Sequence, residues 1–215
     1  MMIDENLVIE LVRRKIVTDT FRRLDSDKKY RIYKKSLWLF GKFGYDGLAI
    51  DSFCREAGIS KGSFFQYFPS KTHLLEFTIL LFDNNLELII ENIKTKERTV
   101  LAKDRISYLY HSLSQYFKTS PIEHQFYLFS TYALDHAGVL LEGLEIDRHI
   151  QNYLEEIIKR GADTGEIRND YPYEMTLYFL MNFLHGLISS LEHSTDELED
   201  FDGCFVTFLF DGIKA

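Results

Sequence analysis

A short run of polar side chains in the first third of the chain has the types and spacing needed to bind nucleic acid. Ser60 is placed to cap a helix and lies with Ser63 at its start, where backbone N–H groups and the helix dipole favour a phosphate. Lys61 can bond a guanine edge or a phosphate, and Gln66 can bond an adenine edge. Gly62 lets the backbone approach a duplex closely because it has no side chain. The run predicts DNA contact; the competing interpretation is an ordinary solvated helix surface.

Two short helices joined by a glycine turn must position these side chains. The sequence predicts helices over about Ile50 to Ala57 and Lys61 to Phe68, with Gly58 in the turn. Such a helix-turn-helix can place its second helix in the major groove of DNA. The positions expected to point inward lie one helical turn apart and are Phe53, Ala57, Phe64 and Phe68.

Flanking helices complete a predicted DNA-binding head. A first helix is expected from about Asp27 to Phe43, ended by Gly44. A fourth is expected after Ser70, which suits an N-cap, and extends to about Ile93.

The stretch from Asp27 to Leu75 closely resembles the DNA-binding domain of the Tet repressor (TetR) family of bacterial transcription regulators. The residues that carry the resemblance are Phe40, Gly44, Tyr45, the run from Ala57 to Ser63, Tyr67, Phe68 and Lys71. The remainder of the chain is similar only in architecture. The resemblance implies an all-α fold with an N-terminal three-helix DNA-binding domain and a C-terminal helical bundle for regulation and dimerisation. It also implies a homodimer in which a small molecule enters the bundle and shifts the fourth helix.

The resemblance extends the predicted DNA-binding set. Tyr67 and Lys71 match family positions that bind phosphate, and such contacts set register rather than sequence preference. The full predicted set is Ser60, Lys61, Gly62, Ser63, Phe65, Gln66, Tyr67, Lys71 and Tyr45.

Three positions depart from the family pattern. Ala49 stands where serine or threonine is usual, so a helix cap and a phosphate-binding hydroxyl are missing. Phe65 replaces a tyrosine and leaves an apolar ring that can touch a thymine methyl. Asp51 stands where some relatives carry a basic residue, and it would repel phosphate unless it accepts a hydrogen bond from a cytosine amine. We expect these changes to alter the operator or weaken binding while leaving the scaffold intact.

The charge distribution agrees with a DNA-binding head on an acidic body. The whole chain of 215 residues has a net charge of −8. Residues 28–75 contain nine basic and three acidic residues, a net charge of +6, whereas residues 76–215 contain 11 and 24, a net charge of −13. This asymmetry favours a module that faces a polyanion, the alternative being chance clustering on solvated helices.

Other classes of protein find little support in the sequence. No apolar run is long enough to span a membrane and no signal peptide is evident, so we expect a bacterial cytoplasmic protein, nucleoid-associated when bound to DNA. Cys54 and Cys204 are expected to be reduced, buried thiols. We find no metal motif, phosphate loop or G-x-S-x-G sequence, and therefore predict no enzyme, no metal and no cofactor.

We predict three regions: a helical N-terminal extension over residues 1–26, the DNA-binding domain over 27–75, and a ligand-binding and dimerisation domain over 76–215. The extension is expected to pack on the body or to be partly disordered; the alternative is a basic arm that touches DNA. In the third region, helices are expected over about 100–117, 121–138, 143–162 and 172–192. Capping boxes at residues 120–123 and 194–197 are expected to open the second of these and a final helix.

Two clusters of side chains are predicted in the third region. Aromatic and polar residues could form a pocket for a small hydrophobic or aromatic effector, although such aromatic stripes are more often plain core. The predicted pocket residues are Phe82, Tyr110, His111, Phe126, Tyr127, Tyr132, His136, Phe179, Asn182 and Phe183. The last two helices are apolar enough to form a dimer interface, the alternative being intrachain core. The predicted interface residues are Tyr178, His185, Leu187, Leu191, Phe201, Phe205, Phe208 and Leu209.

The leading hypothesis is a ligand-responsive transcription regulator, most often a repressor in the family that the chain resembles. Two-fold symmetry would require a palindromic operator with half-sites spaced by whole helical turns. The alternative is a nucleoid or division-associated DNA-binding protein without a small-molecule effector.

Overall fold

The computed structural model describes residues 3–96, 101–133, 147–191, 207 and 210–213 of the chain. Every element of secondary structure with defined bounds among these residues is a helix. The described ranges contain ten α-helices with defined bounds, namely α1 (Glu5–Arg13), α2 (Asp19–Arg22), α3 (Ser26–Gly47), α4 (Ile50–Ala57), α5 (Lys61–Tyr67), α6 (Lys71–Lys96), α7 (Ala102–Thr119), α8 (Pro121–Leu128), α9 (Arg148–Thr164) and α10 (Tyr173–Ser190). A π-helix (Phe129–Ala133) follows α8. None of the helices in these described ranges combines the length and apolar character needed to cross a membrane.

The described residues form two compact units. The first contains residues 3–84 and 122–133, and therefore joins the N-terminal extension, the head, the start of α6 and most of α8. The second contains 85–96, 101–121, 147–191 and the few described residues beyond 206.

Side-chain caps open five helices of the first unit, whereas Ala49 gives α4 no such cap. A side-chain oxygen accepts a hydrogen bond from a first-turn backbone N–H at Asp4, Thr18, Asp25 and Ser60, which open α1, α2, α3 and α5. The Ser70 hydroxyl accepts from the His73 backbone N–H at the start of α6, as the sequence predicted.

The predicted helix break at Gly44 is present as a kink inside α3, with φ 67° and ψ −175°, and a short helical segment follows it to Gly47. Two local details differ from the sequence-based expectations. The N-terminal extension forms two helices separated by a turn, with Lys15 at φ 62°. Glu123 bonds the Lys34 ammonium on α3 instead of completing the expected capping box, because a charged partner forms the stronger bond.

Aromatic rings fill the core of the head. Phe68, which directly follows α5, packs against both Phe21 of α2 and Phe77 of α6, with ring centroids 5.3 Å away in both cases. Phe53 of α4 meets Phe64 of α5 edge-on at 5.8 Å. All five rings are 0% exposed, so the core joins α2, α4, α5 and α6.

The second unit is built from α7, α9 and α10, which pack against one another. Gly165 ends α9 in the left-handed conformation with φ 75°, in agreement with the predicted break. The Arg105 guanidinium on α7 is 4% exposed and bonds Glu156 on α9 at 2.7 Å, and the Ala102 backbone N–H donates to Glu166 at 2.7 Å.

Gly41 allows α3 and α8 to approach backbone to backbone in the first unit. A Cβ at this position would lie 2.9 Å from the Phe126 backbone nitrogen and 3.1 Å from the Gln125 carbonyl carbon. Because these are main-chain atoms, the steric clash with the added Cβ can be relieved only if one of the two helices moves. Gly47 of the same helix meets only the Phe43 Cβ, at 3.4 Å.

We therefore expect Gly41→Ala to lower the free energy of unfolding by about 1–3 kcal/mol, the usual cost of overpacking. Gly47→Ala adds the same methyl group to the same helix without a backbone clash and should change stability by less than about 1 kcal/mol. Thermal and denaturant unfolding of both variants would check this. Equal stability of the two variants would show that the close approach of α3 and α8 does not limit stability.

Candidate nucleic-acid interface

The turn between α4 and α5 is fixed by two residues. Gly58 has φ 66° and ψ 41°, a left-handed conformation that costs glycine little, and its N–H donates to the Arg55 carbonyl. The Ser60 hydroxyl then accepts from the Ser63 backbone N–H at 3.0 Å and opens α5. The predicted helix-turn-helix is therefore formed, with α4 at the predicted bounds.

The outer face of α5 is exposed to solvent. Lys61, Gly62, Phe65 and Gln66 are exposed, whereas Phe64 on the opposite side is 0% exposed. The exposed residues recur at positions i, i+1, i+4 and i+5, which is one face of a helix. Phe65 is 50% exposed, which is unusual for a phenylalanine. Its ring is therefore an apolar surface that a binding partner could contact.

Lys61 is paired with Asp51 across the helix-turn-helix. Its ammonium lies 2.9 Å from the Asp51 carboxylate, and both side chains are largely exposed. The acidic residue that departs from the family pattern therefore stands beside the expected base-contacting lysine. An exposed pair of this kind is weak, so a phosphate or a base edge can compete for the lysine.

Three residues of the predicted DNA-binding set are held by contacts within the head or are buried in it. Lys71 donates to the Tyr45 carbonyl at 2.8 Å and the Leu48 carbonyl at 3.2 Å, and its ammonium lies 4.2 Å from the centre of the Tyr45 ring. The Tyr45 hydroxyl shares a hydrogen bond with Thr72 at 2.7 Å. Tyr67 is only 5% exposed. Sequence spacing gave no sign that Lys71 ties the end of α3 to the loop before α4.

Several basic residues of the head are engaged by acidic groups from elsewhere in the first unit. Lys29, with a side chain 6% exposed, bonds Glu5 of α1 at 3.0 Å, and Lys34 bonds Glu123 of α8. Lys35 lies 3.6 Å from Glu56. The +6 net charge counted along the sequence therefore overstates the positive charge that the head offers to a polyanion.

Cys54 lies on the inner side of α4 and is 5% exposed. Burial raises the pKa of its thiol, and the nearby Asp51 carboxylate raises it further while Lys61 opposes the change. Cys204 lies outside the described residues. Within the described part of the chain, no three histidine, cysteine or acidic side chains gather into a group able to hold a metal ion.

The predicted effector residues fall in both units. In the first, Phe82 meets Phe126 at 5.2 Å and Tyr127 at 6.5 Å, and all three are 0% exposed. In the second, the Tyr110 hydroxyl donates to the Leu180 carbonyl at 2.7 Å, and burial raises its pKa well above the usual range.

The remaining predicted pocket residues are more open. Phe183 stacks on Tyr110 at 5.7 Å, His111 is exposed, and Phe179 is 52% exposed. Asn182 is exposed and donates to the Tyr178 carbonyl at 2.7 Å. The side chain of Tyr132 and the whole of His136 lie outside the described residues, so the pocket stays a prediction.

Some of the dimer residues predicted on α10 are exposed to solvent, whereas others are buried within the second unit. Tyr178 is 72% exposed, and with Tyr171, Met175 and Phe179 it lines an open groove of about 390 Å³. Leu187, in contrast, is 2% exposed within its own unit and Leu191 is half-buried. His185 bonds the Asp147 carboxylate at 2.8 Å. The other predicted interface residues, Phe201, Phe205, Phe208 and Leu209, lie outside the described residues.

Comparison with known proteins agrees with this geometry. Residues 32–77 match a family described as bacterial regulatory proteins of the tetR family. Over 85 residues the chain is 36% identical to the HTH-type transcriptional regulator YerO of Bacillus subtilis (strain 168), a match that covers 38% of this chain and 29% of YerO. The chain thus spans less than a third of the length of this relative.

Two further similarities cover more of the chain. It is 26% identical over 159 residues to the HTH-type transcriptional repressor AcnR of Corynebacterium glutamicum, covering 71% of this chain and 75% of AcnR. Its fold is similar to the crystal structure of the transcriptional regulator FadR from Bacillus subtilis in complex with stearoyl-CoA. That similarity has a TM-score of 0.69 at 18% identity and covers 86% of this chain and 99% of FadR.

The Lys61–Asp51 pair leads to a test of the interface. We expect Asp51→Asn to raise DNA affinity about threefold to tenfold at low salt. The change frees Lys61 from its ion pair and removes a carboxylate that DNA phosphates repel. Asp46→Asn makes the same change in net charge at another exposed position of the head and should have a smaller effect. Fluorescence anisotropy with a labelled duplex would measure both. A loss of affinity in Asp51→Asn would instead indicate that Asp51 itself accepts a hydrogen bond from a base.

Proposed function

The chain is a member of the TetR family of bacterial transcription regulators, and we propose that it is a homodimeric repressor that a small apolar effector releases from a palindromic operator. The observation that carries the proposal is the outer face of α5. Lys61, Gly62, Phe65 and Gln66 are exposed there on a helix whose opposite side is buried in an aromatic core. A helix presented in this way fits the major groove.

Each residue of this face has a distinct proposed role on DNA. Lys61 leaves Asp51 to bond a guanine edge or a phosphate, and Gln66 bonds an adenine edge. Gly62 and the first-turn N–H groups of α5 admit a phosphate close to the backbone. Phe65 covers a thymine methyl. The Ser60 hydroxyl is already used as the cap of α5, so we assign it to positioning and leave phosphate contact to the backbone beside it.

The apolar outer face of α10 supports the proposal of a homodimer. Met175, Tyr178 and Phe179 are all more than half exposed and line the open groove of the second unit. Apolar side chains that cluster on a surface in this way mark a contact with another molecule. A two-fold axis through this face would carry two copies of α5, which is why the proposed operator is palindromic.

The effector is proposed on chemical grounds. The predicted pocket residues are mostly aromatic, with the buried Tyr110 and Tyr127 among them, so an apolar or aromatic molecule with a polar end suits them. FadR of Bacillus subtilis, which has a similar fold, has been crystallised with stearoyl-CoA. Release by such an effector would make the protein a sensor in the bacterial cytoplasm.

DNA recognition would be tested with three variants on a palindromic fragment protected by the wild type. Lys61→Ala and Gln66→Ala remove base contacts, so each should weaken binding about tenfold and relax preference at one position per half-site. Lys71→Ala should weaken all sequences similarly, because Lys71 supports the fold of the head and contacts only the DNA backbone. Binding titrations against single-base operator variants would measure this.

The same titrations, repeated at several salt concentrations, provide an independent check. Affinity should fall steeply with salt because phosphate contacts release counterions. Wild-type binding that is independent of salt, or variants that all bind the operator as the wild type does, would refute the proposed orientation of α5.

Dimerisation would be tested by Tyr178→Glu, which places a charge on the most exposed aromatic residue of α10. We expect a monomer in sedimentation analysis and a loss of operator affinity of at least about tenfold, since a buried unpaired charge opposes association. Gln115→Glu introduces the same side chain at an exposed position of α7 and should leave the dimer intact. If Tyr178→Glu also stayed dimeric, the interface would have to lie elsewhere.

A further inference from the structure

Apolar side chains of the N-terminal extension are buried, and one of them contacts the core of the head. Val8 and Leu11 of α1 and Phe21 of α2 are 0% exposed. Phe21 lies 6.2 Å from Tyr67 of α5 and 5.0 Å from Phe77 of α6, measured between ring centroids. The extension is therefore part of the core that holds α5.

Two ion pairs attach the extension to the helices on either side of the helix-turn-helix. Glu5 bonds the buried Lys29 ammonium of α3 at 3.0 Å, and Arg14 bonds Glu76 of α6 at 3.2 Å. Removing the Glu5 carboxylate would leave the Lys29 ammonium, on a side chain that is 6% exposed, without this partner, which is costly. These contacts fix the two ends of α1 against α3 and α6.

Thr18, the N-cap of α2, is bonded to the end of α5. Its backbone N–H donates to the Tyr67 carbonyl at 3.1 Å, and its hydroxyl donates to the Gln66 carbonyl. The same hydroxyl accepts from the Phe21 backbone N–H at 3.3 Å. One residue of the extension thus binds two consecutive carbonyls at the C-terminal end of the proposed recognition helix.

These two bonds matter because α5 has only seven residues. The last four carbonyls of any helix lack partners within the helix, and a helix this short is unstable on its own. Thr18 supplies partners for two of the four. One of them belongs to Gln66, whose side chain is exposed on the outer face. The backbone of a residue proposed to contact a base is therefore held directly by the extension.

We propose that Thr18 is a positioning residue for DNA recognition, and that it sets the placement of Gln66 against its base pair. This inference rests on the proposed DNA-binding function and adds a specificity determinant outside the matched residues 32–77. A base-contacting side chain must be held within about 0.5 Å of its productive position. The bond from Thr18 restrains the main chain from which the Gln66 side chain projects.

The experiment compares Thr18→Val and Thr18→Ser in the full-length chain. Valine has the shape of threonine but lacks the hydroxyl, whereas serine keeps it. We expect Thr18→Val to weaken operator binding about fivefold to tenfold, the effect of losing one hydrogen bond of about 1 kcal/mol with some loss of position. The loss should be concentrated at the base pair that Gln66→Ala also affects. Thr18→Ser should bind within about twofold of the wild type.

A double-mutant cycle separates positioning from general stability. If Thr18 acts through Gln66, Thr18→Val should have little further effect on affinity in a chain that already carries Gln66→Ala. Asp4→Ala removes the cap of α1 without touching α5 and serves as the matched control for loss of an N-cap. It should lower the unfolding temperature without changing base preference. All variants are measured below their unfolding transitions.

The outcomes distinguish this inference from the proposed function. If the wild type binds no double-stranded fragment, the proposed function fails and the inference fails with it. If the wild type binds but Thr18→Val keeps its affinity and base preference, only the positioning role is refuted. Additive effects of Thr18→Val and Gln66→Ala, with base preference unchanged in Thr18→Val, would likewise reduce Thr18 to a structural cap.

Discussion

The packing of one side of α5 into a core of aromatic rings is the interaction on which the rest of the head depends. A helix of seven residues is unstable alone in water, and its position comes from burial of Phe64 and, directly after it, Phe68. Burying a phenylalanine fully contributes about 1.5–3 kcal/mol, more than any single exposed polar contact of the helix. The rings of α2, α4 and α6 supply the other side of this core, so four helices jointly determine where the outer face of α5 lies.

Because the buried side of α5 holds the helix in place, the residues of its outer face contribute little to the stability of the head. Lys61 has only the exposed Asp51 as an ion-pair partner in the described residues, and Gly62 and Gln66 remain open to solvent. The surrounding charge is more restrained than the sequence suggests, because Lys29 and Lys34 are neutralised by Glu5 and Glu123. In the proposed complex, affinity would depend on a small number of available cations, which makes each of them important for steering and register.

The sequence was sufficient wherever a local signal decided the structure. Gly58 and Ser60 mark the turn and the cap through their own backbone and side-chain chemistry, and α4 and the start of α5 were predicted at the observed residues. Contacts between distant residues were not predictable in this way. Nothing in the local sequence shows that Lys71 would bond carbonyls at residues 45 and 48, or that Thr18 would bond the end of α5, since both depend on how helices pack.

Local rules also gave a wrong detail where packing supplied a stronger partner. Glu123 matched a capping box but bonds Lys34 on another helix. The predicted effector pocket and much of the predicted dimer interface depend on such distant packing, and several of their residues lie outside the described part of the chain. For the pocket and the interface, a pattern of aromatic residues predicts that an apolar surface exists but does not give the distances and angles between its side chains.

The buried Cys54 thiol has a chemical consequence for the head. Peroxides and disulfides react with thiolates, and the raised pKa keeps this sulfur in its protonated form at neutral pH. Its low exposure also hinders approach of an oxidant. Oxidising conditions would therefore leave the thiol on α4 unmodified, and the packing of α4 against α5 would not change through oxidation of this cysteine.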